Sequence, residues 1–344
     1  MRIRVLVVED SPVVRDFLTH ILNLVPDMEV VGVAHDGEQA IEMVRDCRPD
    51  VVTMDIHMPR MDGFESTRRI METQPTPIVI VSGCPSVTET ATAVRALGAG
   101  ALAVVARPYG FGHPEFAQST EKLVETVRLM AGVKVIRRWV PRGAVSTRAA
   151  APAPVRPDIR LVAIGASTGG PQVIETILGA LPQDVSFPVV IVQHICDGFT
   201  PGFCEWLAQV SKRAVHVATA GELLLNGHVY VAPNGAHLGV NGAGRVVLDA
   251  GPPERHVRPA VSYLFRSVAA SFGRRVVAVL LTGMGTDGAE ALKLVRDRGG
   301  LTIAQDQASS IVHGMPGEAI RLGAAVHVMT PEAIGAFLGG LREQ

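Results

Sequence analysis

The apolar run Leu-Val-Ala-Ile at residues 161–164 leads directly into Gly-Ala-Ser-Thr-Gly-Gly-Pro at residues 165–171. An apolar run of this length that ends in glycines predicts a buried strand breaking into a tight turn. A helix is expected to follow from about 170 to 180. The spacing Gly165-x-Ser167-x-Gly169 is typical of a turn that exposes a nucleophilic serine. A phosphate-binding turn or a purely structural turn fits the same residues.

Two further apolar runs end in polar residues that suit the same chemistry. The run 189–192 precedes Gln-His, and the run 276–281 precedes Thr-Gly-Met-Gly-Thr-Asp-Gly and a helical pattern at 289–298. Ser167, His194 and Asp287 therefore all follow predicted strands, whose carboxyl ends meet at one edge of a parallel sheet. A hydroxyl becomes a good nucleophile when an imidazole takes its proton and a carboxylate orients that imidazole. The three residues are predicted to form a catalytic triad.

Simpler interpretations of each residue remain open. His194 fits a hydrogen-bonded structural histidine, Asp287 fits a helix N-cap, and Cys196 is an alternative nucleophile. The chain order Ser, His, Asp differs from the Ser, acid, His order of α/β-hydrolases, unless another acid and a later histidine serve. Dinucleotide binding is disfavoured, because the turn lacks the full Gly-x-Gly-x-x-Gly pattern and no acidic residue ends the second strand.

Length and composition restrict the class of protein. The chain has 344 residues, enough for two domains, and a net charge of −1, which argues against nucleic acid as a partner. No apolar run approaches the roughly 18 residues of a membrane span, and no signal peptide is evident. The four cysteines show no Cys-x-x-Cys spacing. A cytoplasmic protein without membrane insertion is expected.

A basic stretch separates two predicted domains. Residues 126–157 contain seven bases and no acid, and residues 149–157 are rich in alanine and proline. Such a segment buries too little surface to fold, and its charge fits either simple solvation or an acidic docking partner. We expect domains at 1–130 and 159–344, joined by an Ala/Pro/Arg linker at 131–158. The fold class is α/β, with two doubly wound parallel sheets.

The first domain alternates short strands and helices, which predicts a flavodoxin-type sheet. Strands are expected at 3–8, 30–34, 51–54, 78–81 and 102–105, with helices at about 12–24, 37–47, 64–72, 88–98 and 115–130. Glu9, Asp10 and Asp55 follow strands and would meet at one edge, where Mg²⁺ would offset their repulsion. Ser82 and Arg107 end later strands and suit phosphoryl oxygens on Asp55. Acids that merely cap helices are the alternative.

Residues 1–130 resemble a two-component response-regulator receiver domain. The resemblance is carried by Glu9-Asp10-Ser11, the segment Asp-Ile-His-Met-Pro-Arg-Met-Asp-Gly at 55–63, Ser82 and Arg107-Pro108. It implies that a histidine kinase serves as phosphodonor for Asp55, that Ser82 and Arg107 act in switching, and that Glu9, Asp10, Asp55 and His57 form the Mg²⁺ site.

Residues 159–342 resemble the effector domain of the chemotaxis protein-glutamate methylesterase, the CheB type. The matching segments are 164–170, 193–194, 198–200, 251–253, 282–288 and 314–316. The resemblance implies hydrolysis of methyl esters on helical chemoreceptors with release of methanol, often deamidation of receptor glutamines, and an unphosphorylated receiver that covers the esterase site. No cofactor is expected in this half. Oxyanion donors are expected from Thr168 and Gly169 or from Met284 and Gly285.

Three positions depart from the patterns of these families. Arg107 stands where receivers carry lysine, Val104 stands at the position of the switch aromatic, and Ser262 replaces an expected aspartate. These departures bear on switching and partner choice more than on hydrolysis. A non-catalytic adaptor that binds receptor helices, a general small-ester hydrolase and a methylesterase paralogue in a non-flagellar chemosensory-like pathway are the alternative functions.

Overall fold

The structure is a computed structural model that describes residues 2–83, 96–133, 135, 158–195 and 197–341. Most of the helix predicted at 88–98, most of the expected linker and the alternative nucleophile Cys196 lie outside the described residues. The described chain divides into two compact units. The first contains the N-terminal sheet together with Ile195–Trp206, and the second contains residues 158–194 and the chain from Leu207 onward.

The first unit is built on five parallel strands in the order β2-β1-β3-β4-β5. The strands are β1 Ile3–Val8, β2 Met28–Ala34, β3 Val51–Met54, β4 Ile78–Ser82 and β5 Ala103–Ala106. The helices are α1 Pro12–Asn23, α2 Gly37–Cys47, α3 Gly63–Thr73 and α4 Phe116–Ala131. This strand order is that of the flavodoxin-type fold, so the predicted fold class is confirmed.

Aspartate side chains cap the N-termini of two of these helices. The Asp36 carboxylate accepts a hydrogen bond from the Gln39 N–H at the start of α2, and the Asp62 carboxylate accepts one from the Glu65 N–H at the start of α3. Such caps satisfy N–H groups that have no partner within the helix. Gly63 then lets α3 pack closely, because a Cβ at this position would lie 2.1 Å from the carbonyl oxygen of Asp55.

The second unit is built on seven parallel strands in the order β14-β13-β12-β6-β7-β9-β8. An antiparallel hairpin of β10 and β11 accompanies this sheet. The strands are β6 Leu161–Ala166, β7 Val189–Gln193, β8 Val215–Val217, β9 Val229–Val231, β10 His237–Val240, β11 Val246–Asp249, β12 Val276–Leu280, β13 Leu301–Gln305 and β14 His327–Met329. The helices are α5 Gly170–Ala180, α7 Val261–Phe272, α8 Ala289–Asp297, α9 Met315–Arg321 and α10 Pro331–Gly339, together with the part of α6 Thr200–Ser211 that follows Trp206.

The strand order of the second sheet reverses at β6. From β6 the chain continues through β7 on one side, whereas β12 and β13 lie on the other side. Open parallel sheets bind ligands beyond the carboxyl ends of their strands at such a switch point. The predicted strands at 161–164, 189–192 and 276–281 are the three strands around this point. None of the described helices is both long and apolar enough to cross a membrane.

Gly165 in β6 is required by close packing against α7. A Cβ at Gly165 would lie 2.2 Å from Cγ1 of Val261, the first residue of α7. By contrast, no atom lies within 4 Å of the corresponding position at Gly179, near the end of α5. The two glycines thus provide a matched pair within one unit, one in a crowded site and one in open space.

We expect Gly165→Ala to destabilise the second unit by about 1–3 kcal/mol, because the added methyl group must displace Val261. Gly179→Ala is expected to stabilise the same unit by up to about 1 kcal/mol, because alanine favours the helix. Urea unfolding of both variants beside wild type measures the two effects. Equal midpoints for Gly165→Ala and wild type would contradict the packing argument.

Candidate functional site

Ser167 lies in the turn that follows β6 and is partly exposed. Its N–H donates to the carbonyl oxygen of Thr282 at 3.0 Å, and its own carbonyl accepts the N–H of Gly170 at 2.9 Å. Gly169 has a φ of 77°, a conformation that favours glycine, and precedes the first residue of α5. Gly169, one of the glycines predicted to form the turn, therefore provides the backbone conformation that the turn requires.

The loop after β12 runs directly beside Ser167 because Gly283 has no side chain. A Cβ at Gly283 would lie 2.7 Å from the Cβ of Ser167 and 2.4 Å from Sδ of Met315. The Thr282 hydroxyl donates to the carbonyl oxygen of Thr168 at 3.0 Å. Backbone contacts thus fix the Ser167 turn to the loop that carries Asp287.

His194 and Asp287 are brought into hydrogen-bonding contact. Nε2 of His194 lies 3.1 Å from Oδ2 of Asp287, although the two residues are 93 positions apart. The His194 N–H donates to the carbonyl oxygen of Ala166 at 3.0 Å, which places His194 at the strand end next to Ser167. With Nε2 facing Asp287, Nδ1 is the nitrogen left to accept a proton. Among the described residues, the Ser167 hydroxyl itself makes no hydrogen bond.

The Asp287 carboxylate is held by the first turn of α7. Its Oδ2 accepts the N–H of Val261 at 2.7 Å, and its Oδ1 accepts the N–H of Ser262 at 3.0 Å. Burial alone would raise the pKa of Asp287, but the hydrogen bonds from His194 and Ser262 outweigh it and keep the pKa below its ordinary value. The N-cap interpretation of Asp287 is wrong, because Gly288 occupies the N-cap position of α8.

Ser262, one of the departures from the family pattern, touches this carboxylate directly. Its N–H binds Asp287, and its hydroxyl accepts the N–H of Gly288 at 2.9 Å. Ser262 therefore contributes one backbone and one side-chain hydrogen bond around Asp287, and its neutral side chain adds no second negative charge there.

The expected oxyanion donors lie around the Ser167 turn. Met284 is 39% exposed, Gly285 has a φ of 77° with open space at its Cβ position, and Gly169 shapes the turn itself. Across the described residues, the N–H groups of Thr168, Gly169 and Met284 donate to no acceptor. Free backbone N–H groups beside a nucleophile are the groups that stabilise a developing oxyanion.

Two buried glutamines support the site, and the sequence assigned them no role. Oε1 of Gln305, at the end of β13, accepts the N–H of Thr282 at 2.8 Å. Nε2 of Gln193, at the end of β7, donates to the carbonyl oxygens of Ser167 and His194. The available signal was a polar residue closing each apolar strand, which predicts a side chain turned toward the sheet edge.

The acids of the first unit converge as predicted. Glu9, Asp10 and Asp55 offer carboxylate oxygens that all lie within 4.8 Å of one another. His57, the fourth expected ligand, is exposed and is not a member of this group. Ser82 is buried at the end of β4, and its carbonyl oxygen accepts the N–H of Arg107 at 2.7 Å.

Arg107 lies against the acid cluster. Its Nη2 is 3.1 Å from Oε2 of Glu9 and 3.7 Å from Oδ1 of Asp55. Burial, together with the negative charge of Asp55, still raises the pKa of Glu9 to about 7. Burial also raises the pKa of Asp55. The guanidinium of Arg107 therefore leaves part of the negative charge of the acid cluster uncompensated. The carboxylate oxygens of this cluster are ligands that fit a hard divalent cation.

The fold and the two sites define a class of protein. A sheet of receiver topology with an acid cluster precedes a parallel α/β unit that presents Ser167, His194 and Asp287 at its switch point. Family models agree with this class: the response regulator receiver domain matches residues 5–113, and CheB methylesterase matches residues 162–338. The chain belongs to the CheB methylesterase family.

Similar proteins cover the chain almost completely. A Nitrosospira multiformis protein named protein-glutamate methylesterase/protein-glutamine glutaminase is 52% identical over 343 residues, which is 98% of this chain and 97% of that protein. A Syntrophus aciditrophicus protein of the same name, numbered 1, is 50% identical with the same coverage. The crystal structure of the Thermotoga maritima CheB methylesterase catalytic domain is 37% identical, with a TM-score of 0.52, and covers 53% of this chain and 98% of that domain.

The raised pKa of Glu9 predicts a pH-dependent stability. A glutamate with a pKa of 4.5 in the unfolded chain and about 7 in the folded chain favours folding below pH 4.5. This contribution is lost as the pH rises from 4.5 through about 7, and its size is roughly 3 kcal/mol. We therefore expect Glu9→Gln to stabilise the protein more at pH 8 than at pH 5, relative to wild type.

Thermal unfolding of wild type and Glu9→Gln in chelator-containing buffer at the two pH values provides the measurement. Glu29→Gln, at an exposed position on β2, is the control and is expected to show the wild-type dependence. If the difference between Glu9→Gln and wild type is the same at both pH values, the account of Glu9 is wrong.

Proposed function

We propose that this chain is a protein-glutamate methylesterase and protein-glutamine glutaminase controlled by phosphorylation of its receiver. The contact that carries the proposal is the 3.1 Å hydrogen bond between His194 and Asp287, beside the Ser167 turn. The names of relatives that match nearly the whole chain support the same activity. They favour an enzyme over a non-catalytic adaptor.

In the proposed reaction, Oγ of Ser167 attacks the carbonyl carbon of a methylated glutamate side chain. Nδ1 of His194 accepts the hydroxyl proton, and the Asp287 carboxylate stabilises the imidazolium that forms. Collapse of the tetrahedral intermediate breaks the bond to methoxide, which takes the proton from His194 and leaves as methanol. Water, deprotonated by His194, then attacks the acyl-enzyme, and His194 returns this proton to Oγ of Ser167 as the glutamate is released.

Backbone N–H groups are assigned the role of stabilising the negative charge that develops on the carbonyl oxygen. The free N–H groups of Thr168, Gly169 and Met284 are suited to this task, with Gly285 shaping the approach. Deamidation of a glutamine follows the same steps, with ammonia in place of methanol as the leaving group. The amide is the harder bond to break, so a slower reaction is expected.

In the first unit we assign Asp55 as the phosphoryl acceptor and a histidine kinase as the donor. Glu9, Asp10 and Asp55 would hold Mg²⁺, which supplies positive charge against the carboxylates and the phosphoryl oxygens. Ser82 and Arg107 are assigned to phosphoryl contacts and switching, because a hydroxyl and a guanidinium bind such oxygens. Arginine supplies charge with a geometry different from that of lysine.

The proposal also includes the domain boundaries, the substrate and the place of action. The domain boundaries proposed are 1–130 for the receiver and 159–344 for the esterase, with a linker at 131–158. The substrate is a cytoplasmic helix of a chemoreceptor that carries methylated glutamates, and the enzyme acts from the cytoplasm.

The first test of this function is Ser167→Ala. Loss of the nucleophile should lower methanol release from methylated receptor by several orders of magnitude, because only binding and oxyanion effects remain. Ser271→Ala, in the last turn of α7, is the control and should retain wild-type activity. Activity of Ser167→Ala within tenfold of wild type would exclude the assigned nucleophile.

The second test concerns the receiver. Acetyl phosphate with Mg²⁺ should raise methanol release by wild type and leave Asp55→Asn unchanged, because the amide cannot accept the phosphoryl group. Asp46→Asn, at an exposed position in α2, should respond as wild type does. Arg107→Lys should show a larger gain than wild type. A phosphodonor response in Asp55→Asn equal to that of wild type would refute the assignment of Asp55.

A further inference from the structure

Gln193 joins the backbone carbonyls of the two residues on which the proposed reaction depends. Its amide nitrogen Nε2 donates to the carbonyl oxygen of Ser167 at 2.8 Å and to that of His194 at 2.9 Å. A carboxamide nitrogen carries two hydrogens, so one side chain can make both bonds at once. The side chain is almost fully buried, with 4% exposure, so these bonds are not exchanged for bonds to bulk water.

The surroundings admit only one orientation of this amide. Oε1 of Gln193 is buried and has no hydrogen-bond partner among the described residues. It faces the start of α5, where a Cβ at Gly170 would lie 2.2 Å from it. Exchanging the two amide atoms would place an oxygen against two carbonyl oxygens. The unsatisfied Oε1 of Gln193 costs free energy, but this orientation keeps both donated hydrogen bonds.

The two bonds link the residues that directly follow the last paired positions of β6 and β7. Parallel pairing ends at Ala166 and Gln193, one residue before the proposed nucleophile and the proposed base. Beyond that point, the Ser167 carbonyl accepts the Gly170 N–H and the Gln193 amide, and the His194 carbonyl accepts the same Gln193 amide. Gln193 thus joins Ser167 and His194 directly, in addition to the bond that the His194 N–H donates to the carbonyl oxygen of Ala166.

We propose that Gln193 is a positioning residue for the reaction, which holds the Ser167 turn and the His194 backbone in register for proton transfer. The inference rests on the proposed function, because it takes Ser167 as the nucleophile and His194 as the base. It assigns Gln193 no contact with the substrate. A displacement of about 1 Å between nucleophile and base can cost about 10²-fold in rate. Loss of Gln193 therefore acts on kcat, whereas KM is set by groups that touch the receptor.

The experiment compares Gln193→Met with Val192→Ala in the full-length protein. Methionine keeps the volume and removes both hydrogen bonds. Val192 precedes Gln193 in β7 and is fully buried, and its side chain points to the opposite face of the sheet. Each variant is measured for kcat and KM of methanol release, for the rate of Ser167 labelling by a fluorophosphonate probe, and for the thermal unfolding midpoint.

We expect Gln193→Met to lower kcat at least tenfold with KM within threefold of wild type, and to slow Ser167 labelling by a similar factor. Val192→Ala should lower the unfolding midpoint by at least as much and keep kcat within threefold. If Gln193→Met fails to fold, Gln193→Asn takes its place, because its shorter amide reaches one carbonyl at most.

A folded Gln193 variant with kcat within threefold of wild type overturns the proposal. So does an equal loss of kcat in Val192→Ala, since general destabilisation would then explain both. Ser167→Ala, assayed in parallel, separates this result from failure of the proposed function. If Ser167→Ala is inactive while the Gln193 variant is active, only the positioning role is wrong, whereas an active Ser167→Ala refutes both.

Discussion

In the parallel ladder of β12, β6 and β7, Leu280 pairs with Gly165 and Ala166 pairs with Gln193. A shift of one residue in either pairing would turn the side chains at the strand ends to the opposite face of the sheet. The register therefore decides whether Ser167, His194 and the loop bearing Asp287 meet at all. Gly165 and Gly283 permit this register, because each lies where a side chain would collide with a neighbouring element.

Buried carboxylates have opposite surroundings in the two units, and their pKa values shift in opposite directions. Asp287 is surrounded by donors, with two N–H groups of a helix start and one imidazole, and its pKa is lowered. Glu9 and Asp55 are buried beside each other with one guanidinium, and both pKa values are raised. A satisfied carboxylate is suited to orient another group. An unsatisfied cluster is suited to bind a cation and to respond when charge is added.

The sequence predicts the strand ends well because apolar runs and glycines are local signals. The predicted helix at 170–180 matches α5, and Glu9, Asp10 and Asp55 lie together as expected. Contacts between distant segments were predicted where both segments follow a strand, but not where one of them is the start of a helix. The first turn of α7 lies 26 and 25 positions from Asp287, and nothing in the local sequence indicates that it binds this carboxylate. The same gap explains why Asp287 resembled an N-cap of its own helix.

The role of the strand-end glutamines also exceeds what the pattern of residues indicates. A glutamine that closes a buried strand is compatible with a surface position, and only the packing of the neighbouring turn shows that its amide is enclosed. The side chain of His57 is exposed outside the acid group, and its role as a ligand, implied by the resemblance, stays a prediction.

The amides of Gln193 and Gln305 hold the turns after β6 and β12 from the two sides of the site. Unlike carboxylates or imidazoles, carboxamides neither gain nor lose protons in water near neutral pH. The turns after β6 and β12 are thus held by side chains whose hydrogen bonds do not depend on a titrating proton. The hydrogen bonds that hold the two turns therefore persist over a pH range in which carboxylates and imidazoles change their charge.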